Sequence, residues 1–313
     1  MDEARRDSAL MAGSTEERVI ALDAPPSLLG ESPLWHPVEQ VLYWCDIPGR
    51  ALNRFDPVTS RHDRWSFPTD VASCAPMRDG GLLLAMRDGL WRFDRASGQR
   101  TALNTPPPYD TQQERFNDGK CDPQGRFWVG TLYEPRDPPL AALYRYETAT
   151  LSRMADEITV CNGLGWSPDS RTMYCSDTKA HRIYAFDFDA ARGTIGPRRV
   201  FARFPIKQPD QDLSTYGGRP DGAAVDVQGC YWSALFEGQR LVRLSPEGQV
   251  IHEIQLPVRC ATMPCFGGAD LKTLYVTTSR EKRPAAELEA QPLAGRVLAL
   301  RVDVAGLPAN TFG

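Results

Sequence analysis

Residues 118–131 read DGKCDPQGRFWVGT, a short run, a Pro-Gly turn and then the aromatic pair Phe127–Trp128. The centre of this stretch is hairpin chemistry: Pro presets one turn dihedral, and Gly accepts the positive φ that tight turns need. The same order of strand, turn and paired large residues returns along the chain. It stands as SPLWHPVEQVLYWCD at 32–46, ASCAPMRDGGLLLAM at 72–86 and GLGWSPDSRTMYCSD at 163–177. It stands again as GAAVDVQGCYWSAL at 222–235 and MPCFGGADLKTLYVTTS at 263–279.

The paired residues fall at Tyr43–Trp44, Leu83–Leu84, Phe127–Trp128, Met173–Tyr174, Tyr231–Trp232 and Leu274–Tyr275, with spacings of 40, 44, 46, 58 and 43 residues. A third strand follows each: ALNRFDP, LWRFDRA, ALYRYET, RIYAFDF, RLVRLSP and RVLALRV. A weaker fourth usually comes after it. Four strands per unit at roughly 40–50 residues is the period of a propeller blade. The reading is an all-β, six-bladed β-propeller with four antiparallel strands per blade. A β-sandwich would leave six similar units unexplained. The last unit lacks a fourth strand in sequence, and residues 17–22 are expected to supply it from the N-terminus, which removes the open edge. The expected layout is one propeller domain over 16–313 behind a disordered tail over 1–15.

Composition agrees. The 313 residues are 42% hydrophobic with a net charge of −4, enough apolar material for a packed core and no basic stripe for nucleic acid. No run approaches the ~20 apolar residues that span a bilayer, and the N-terminus lacks a signal-peptide core, so neither a membrane nor secretion is expected. The eight cysteines form no C-x-x-C pair and sit mostly in apolar runs, which reads as buried thiols in a reducing cytosol, with a Cys260–Cys265 bridge left open. Four scattered histidines argue against a histidine-rich zinc site.

The first strand of each blade lies nearest the central axis, so aligning first strands shows what lines the channel. Taking W-x-P and D-P as anchors, one position reads Glu31, Asn117, Asn162 and Asp221, while the second and sixth units put Val71 and Thr262 or Met263 there. Asn occurs five times in the chain, and two of the five fall in this register. Ring closure brings the four oxygen-bearing residues to one place. Two carboxylates and two amides are hard donors that suit one divalent cation, Ca²⁺, Mg²⁺ or Mn²⁺, and tolerate Zn²⁺. Each residue alone is equally at home in an ordinary turn, as in Pro-Asp-Gly around Asp221.

At these residues the chain resembles the regucalcin-like gluconolactonase family, the senescence marker protein-30, gluconolactonase and luciferin-regenerating-enzyme-like group. The matching stretches are GESPLW (30–35), RFNDGKCDPQGRFWVGT (115–131), CNGLGWSPDSRTMYCSD (161–177) and RPDGAAVD (219–226). The resemblance implies Glu31, Asn162 and Asp221 as metal ligands, Asp221 as the general base, and Arg115 and Asn117 as substrate contacts. Tyr133 and Glu134 fall in a loop where the family's substrate contacts vary, and Glu134 is carried as substrate-binding. It further implies a metal-dependent hydrolase that opens sugar-acid lactones, with a small sugar lactone as partner.

The residues suit that chemistry. A cation polarises a ring carbonyl, a carboxylate takes a proton from water, and a permanently charged guanidinium holds an oxygen-rich substrate. Neither a G-x-S-x-G elbow nor a histidine beside a repeat-aligned Ser or Cys points to covalent catalysis. Two alternatives stay open: an esterase or phosphotriesterase on the same scaffold, and a non-enzymatic calcium-binding propeller. The long fourth spacing marks an insertion near 206–220, and this segment and the Pro-rich 104–113 are candidate lids.

Overall fold

The structure, a computed structural model, describes residues 18–313. The tail expected over 1–15 lies outside the described residues. Six antiparallel sheets follow one another around a ring, as the repeat predicts. Their innermost strands are Gly30–Trp35, Val71–Pro76, Glu114–Cys121, Cys161–Trp166, Arg219–Val225 and Ala261–Gly267, one for each of blades one to six. Blade six is completed from the other end of the chain: Ile20 and Ala21 pair with Ala299 and Leu298. The outer strand is thus the first in sequence, and the ring has no unpaired seam.

The turn in 118–131 is built by Asp122. One carboxylate oxygen accepts the backbone N–H groups of Gln124 (2.9 Å) and Arg126 (3.0 Å). The other accepts the indole N–H of Trp128 at 2.9 Å. Asp226 does the same in blade five for Gln228, Cys230 and the indole of Trp232. The recurring Asp-x-Gln-Gly-x-aromatic-Trp is therefore one device: the aspartate fixes the hairpin and satisfies the only polar atom of a fully buried tryptophan. His36 and Ser167 hold the same turn in blades one and four.

The apolar pairs fill the wedges between blades. Trp128 packs edge-on against Trp166 and Phe188 of blade four, with ring centroids 6.2 and 5.9 Å apart. Trp35 stacks on Tyr275 at 5.7 Å, across the junction of blades one and six. Each fully buried large apolar side chain contributes about 1.5–3 kcal/mol. All eight cysteines are free, so no Cys260–Cys265 bridge forms.

The spacing of 58 residues has a structural cause. The third strand of blade four, Arg182–Asp189, carries an extra short ribbon at Thr194–Ile195 before the fourth strand, Arg199–Arg203. Residues 204–218 then cross to blade five. Among the described residues no helix is long and apolar enough to cross a membrane.

After blade six the chain runs across one mouth of the channel. Leu307 N–H donates to Val225 O of blade five, Phe312 N–H to Pro76 O of blade two and Gly313 N–H to Gly125 O of blade three. This strap covers the C-terminal ends of the inner strands. The aligned polar residues stand at the other end.

Candidate active site at the unstrapped mouth

The inner strands of blades one, three, four and five all break their pairing near this mouth. The ladder is interrupted between Glu31 and Leu34, Phe116 and Gly119, Asn162 and Gly165, and Pro220 and Ala223. Such bulges re-aim side chains. Glu31 and Asn162 stand just before the interruption, and the next residue in each case has a positive φ, 48° at Ser32 and 61° at Gly163. Asn117 and Asp221 stand one step later, inside it. At Gly163 a side chain is also excluded sterically: a Cβ would lie 2.2 Å from Tyr231 Oη and 2.3 Å from Ser176 Oγ.

Two aspartates at the ends of second strands set the approach to these positions. Asp46 Oδ1 accepts the N–H groups of Leu28 (3.1 Å) and Leu29 (3.2 Å), which lead into Glu31. Asp177 accepts those of Thr159 (3.1 Å) and Val160 (3.3 Å), which lead into Asn162. The sequences YWCD and YCSD thus serve the floor of the site as well as the blade.

The four aligned residues are buried, and three of them form one hydrogen-bonded chain with Arg115. Arg115 donates to Asn117 Oδ1 at 2.7 Å, and Asn117 Nδ2 donates to Asn162 Oδ1 at 2.6 Å. Asn162 Nδ2 then donates to Asp221 Oδ1 at 2.5 Å and to Thr178 Oγ1 at 2.8 Å. Glu31 faces them from blade one. Burial, then the charges of Asp221 and Asp118, push the Glu31 carboxyl well above its ordinary range. Burial pushes Asp221 up to about 7, against the pull of Arg219. Burial also lowers the Arg115 guanidinium from its ordinary value.

This electrostatic conflict is what a cation would relieve, and the donors fit one. Among the described residues no three His, Cys, Asp or Glu side chains gather to hold a metal. A cation on this floor must therefore use amide oxygen as well as Glu31 and Asp221. The carboxamide of Asn162 would supply it by exchanging its oxygen and nitrogen about a broad, twofold torsion, which would also turn the Asn117 amide that now donates to it. Such an all-oxygen set suits a hard divalent ion.

Above the floor lies a cavity of about 860 Å³, within the range of about 300–1,000 Å³ usual for small-molecule sites. Its walls hold residues that the repeat did not reveal: Asp70, Arg136, Thr178, Lys179, His181 and Arg219. Thr178, Lys179 and His181 come from the turn between second and third strands of blade four, and Arg136 from the equivalent loop of blade three, where no repeat pattern exists. For Thr178 the one signal in the sequence is its place directly after YCSD. Glu134 lines the rim, where both carboxylate oxygens accept from Arg87, at 2.6 and 3.4 Å. Tyr133 instead donates its hydroxyl to Gln113 at 3.2 Å. Of the two candidate lids, 104–113 contributes nothing to the lining and 206–220 contributes only Arg219. Tyr216 anchors the second of these segments, its buried hydroxyl 3.5 Å from His181 Nε2.

Comparisons with known proteins agree with the fold. The family model described as SMP-30/Gluconolactonase/LRE-like region matches residues 29–280. The chain is 46% identical over 292 residues to the 6-deoxy-6-sulfogluconolactonase of Pseudomonas putida, covering 92% of this chain and 96% of that one. It is 32% identical to regucalcin of Oryctolagus cuniculus, over 90% and 94% of the two chains. Among solved structures, the calcium-binding protein regucalcin from Agrobacterium tumefaciens superposes with a TM-score of 0.87 at 28% identity, covering 95% of this chain and 98% of that one. The matched span contains all four aligned residues and every inner strand, and the protein belongs to the SMP-30/gluconolactonase/LRE-like family.

Proposed function

We propose that this protein hydrolyses the lactone ring of a sugar acid, with one divalent cation held by Glu31, Asn162 and Asp221. The observation that carries this reading is the pair of buried carboxyls, Glu31 and Asp221, on the floor of a polar cavity with room for a sugar. When bound, the cation supplies Lewis-acid polarisation of the ring carbonyl. Asp221 takes the proton of the attacking water and returns it to the ring oxygen as that C–O bond breaks. Without metal, burial raises its carboxyl to about 7; a bound cation would move it back towards ordinary values. Arg115 orients Asn117 and presents its remaining N–H groups to sugar hydroxyls, while Asn117 offers its amide oxygen to the substrate. Glu134 takes a substrate hydroxyl at the rim.

A relative at 46% identity is named for a gluconolactone sulfonated at C6, so gluconolactones, neutral and sulfonated, are the first substrates to test. Xylono-, arabinono-, galactono- and rhamnonolactones come next. A pH-indicator assay with Ca²⁺, Mg²⁺, Mn²⁺ and Zn²⁺ decides the matter. Acceleration of at least one lactone above its spontaneous rate is expected. No acceleration with any metal overturns the reading.

A further inference from the structure

Six cationic side chains line the cavity: Arg115, Arg136, Lys179, Arg219, Lys282 and Arg283. Most are already engaged. Arg219 donates to Glu237 at 2.7 Å, and Arg283 to Glu237 and Glu287 at 2.9 and 2.7 Å. Lys282 lies 3.5 Å from Glu281. Arg115 holds the Asn117 amide and the Phe116 carbonyl through one of its terminal nitrogens and stands on the floor rather than the rim.

Arg136 and Lys179 differ. Among the described residues neither is paired with a carboxylate, and the Lys179 ammonium donates to the backbone carbonyl oxygen of Arg136. That contact sets the Lys179 ammonium against the Arg136 backbone on the adjacent blade, while the Arg136 charge acts on Asp221 below without forming an ion pair, so both cations face the cavity with donors to spare. Arg136 follows the second strand of blade three, in a turn where its own N–H donates to Tyr133 O at 2.9 Å. Lys179 directly follows Thr178, whose hydroxyl accepts from Asn162 at 2.8 Å. The pair therefore stands on the rim directly over the Asn162–Asp221 side of the floor. A lactone whose carbonyl lies on that floor directs its far end towards it.

We propose that Arg136 and Lys179 form an anion-holding subsite, and that the lactone opened here carries a tetrahedral anionic group, a sulfonate or a phosphate, on the end of the sugar away from the ring carbonyl. This rests on the lactonase reading above. A planar guanidinium offers paired N–H donors to such an oxyanion and an ammonium adds a point charge, so charge-assisted hydrogen bonds supply the recognition. Neither residue is hydrogen-bonded to the floor, so both act first on which substrate is chosen.

The test uses the metal-loaded protein, Arg136→Ala, Lys179→Ala and the double variant. Each is assayed with gluconolactone, gluconolactone sulfonated at C6 and gluconolactone phosphorylated at C6. The native protein is expected to prefer an anionic lactone, and the sulfonate and phosphate arms tell which. The single variants lose about tenfold, and the double variant about a hundredfold, in kcat/KM on that lactone. On neutral gluconolactone they change less than about twofold. A native preference for the neutral lactone, or equal losses on neutral and anionic lactones, overturns the subsite. Calorimetry with ring-opened, C6-sulfonated and C6-phosphorylated gluconates separates this proposal from the one beneath it. Binding of either that is lost in the double variant supports the subsite even if no lactone is hydrolysed; no loss of binding sinks it.

Discussion

The Asn162 carboxamide, from blade four, donates to Asp221 Oδ1 of blade five at 2.5 Å, while its own oxygen accepts from Asn117 of blade three. One amide thus joins three blades, and every polar atom it has is engaged. A cation between Glu31 and Asp221 has to replace the contact to Asp221 with a bond to amide oxygen. The floor as it stands is a closed hydrogen-bonded chain, and a metal-ligated arrangement on the same backbone would re-pair the Asn162 and Asn117 amides together.

Asp221→Asn keeps the size of the side chain and removes both its charge and its capacity to take a proton. The expected result is a fall in kcat of at least about a hundredfold. The melting temperature without metal should be unchanged or raised, since a buried like-charge conflict with Glu31 and Asp118 disappears. Lactone hydrolysis at the native rate would remove Asp221 from the mechanism.

Stability without metal should depend on pH in a set direction. Burial raises the Asp221 carboxyl from 3.8 to about 7, and Glu31 moves the same way. The folded protein then holds protons that the unfolded chain has released. The resulting stabilisation is fully present below the unfolded value and is lost as pH rises through about 7. Chelator-treated protein should melt lower at pH 8 than at pH 5. Both Asp221→Asn and saturating Ca²⁺ should shrink that difference. An undiminished difference in the variant would assign it to other groups.

Arg115 lines the cavity, and the hydrogen bonds of its guanidinium go to the Asn117 amide oxygen and the Phe116 carbonyl. Arg115→Ala should raise KM about tenfold or more with a smaller effect on kcat, the pattern of lost binding shared by ground and transition states. Steady-state kinetics on the best lactone would show it. An unchanged KM would move substrate binding to another wall.

Gly163→Ala tests the backbone beside Asn162. The residue has a φ of 61° and no space for a Cβ against Tyr231 and Ser176. Strain of about 1–3 kcal/mol is expected, seen as a lower denaturation midpoint, together with reduced activity because Asn162 shifts. Gly80→Ala is the control, since it has a comparable φ of 88° and open space around it, and should leave activity intact.

The blades were legible because each repeat encodes its own hairpin, down to the aspartate that carries the tryptophan indole in blades three and five. Glu31, Asn117, Asn162 and Asp221 were legible as a group because ring closure superposes their strands. The bulges were not: sequence alignment puts all four in one register, whereas Asn117 and Asp221 sit one step deeper into the interruption than Glu31 and Asn162. A local dihedral change of that kind leaves only faint traces, such as Gly163 after Asn162. Arg136, Lys179 and His181 were illegible for a different reason. They stand on loops outside the periodic part of each blade, and only the folded ring places them over the floor.

The most direct test is hydrolysis of the preferred sugar lactone before and after exhaustive chelation, followed by return of a single divalent metal. Loss of nearly all activity is expected, with full recovery on a stoichiometric hard cation and no recovery in Asp221→Asn. Undiminished lactone hydrolysis in excess chelator would contradict the metal-dependent mechanism.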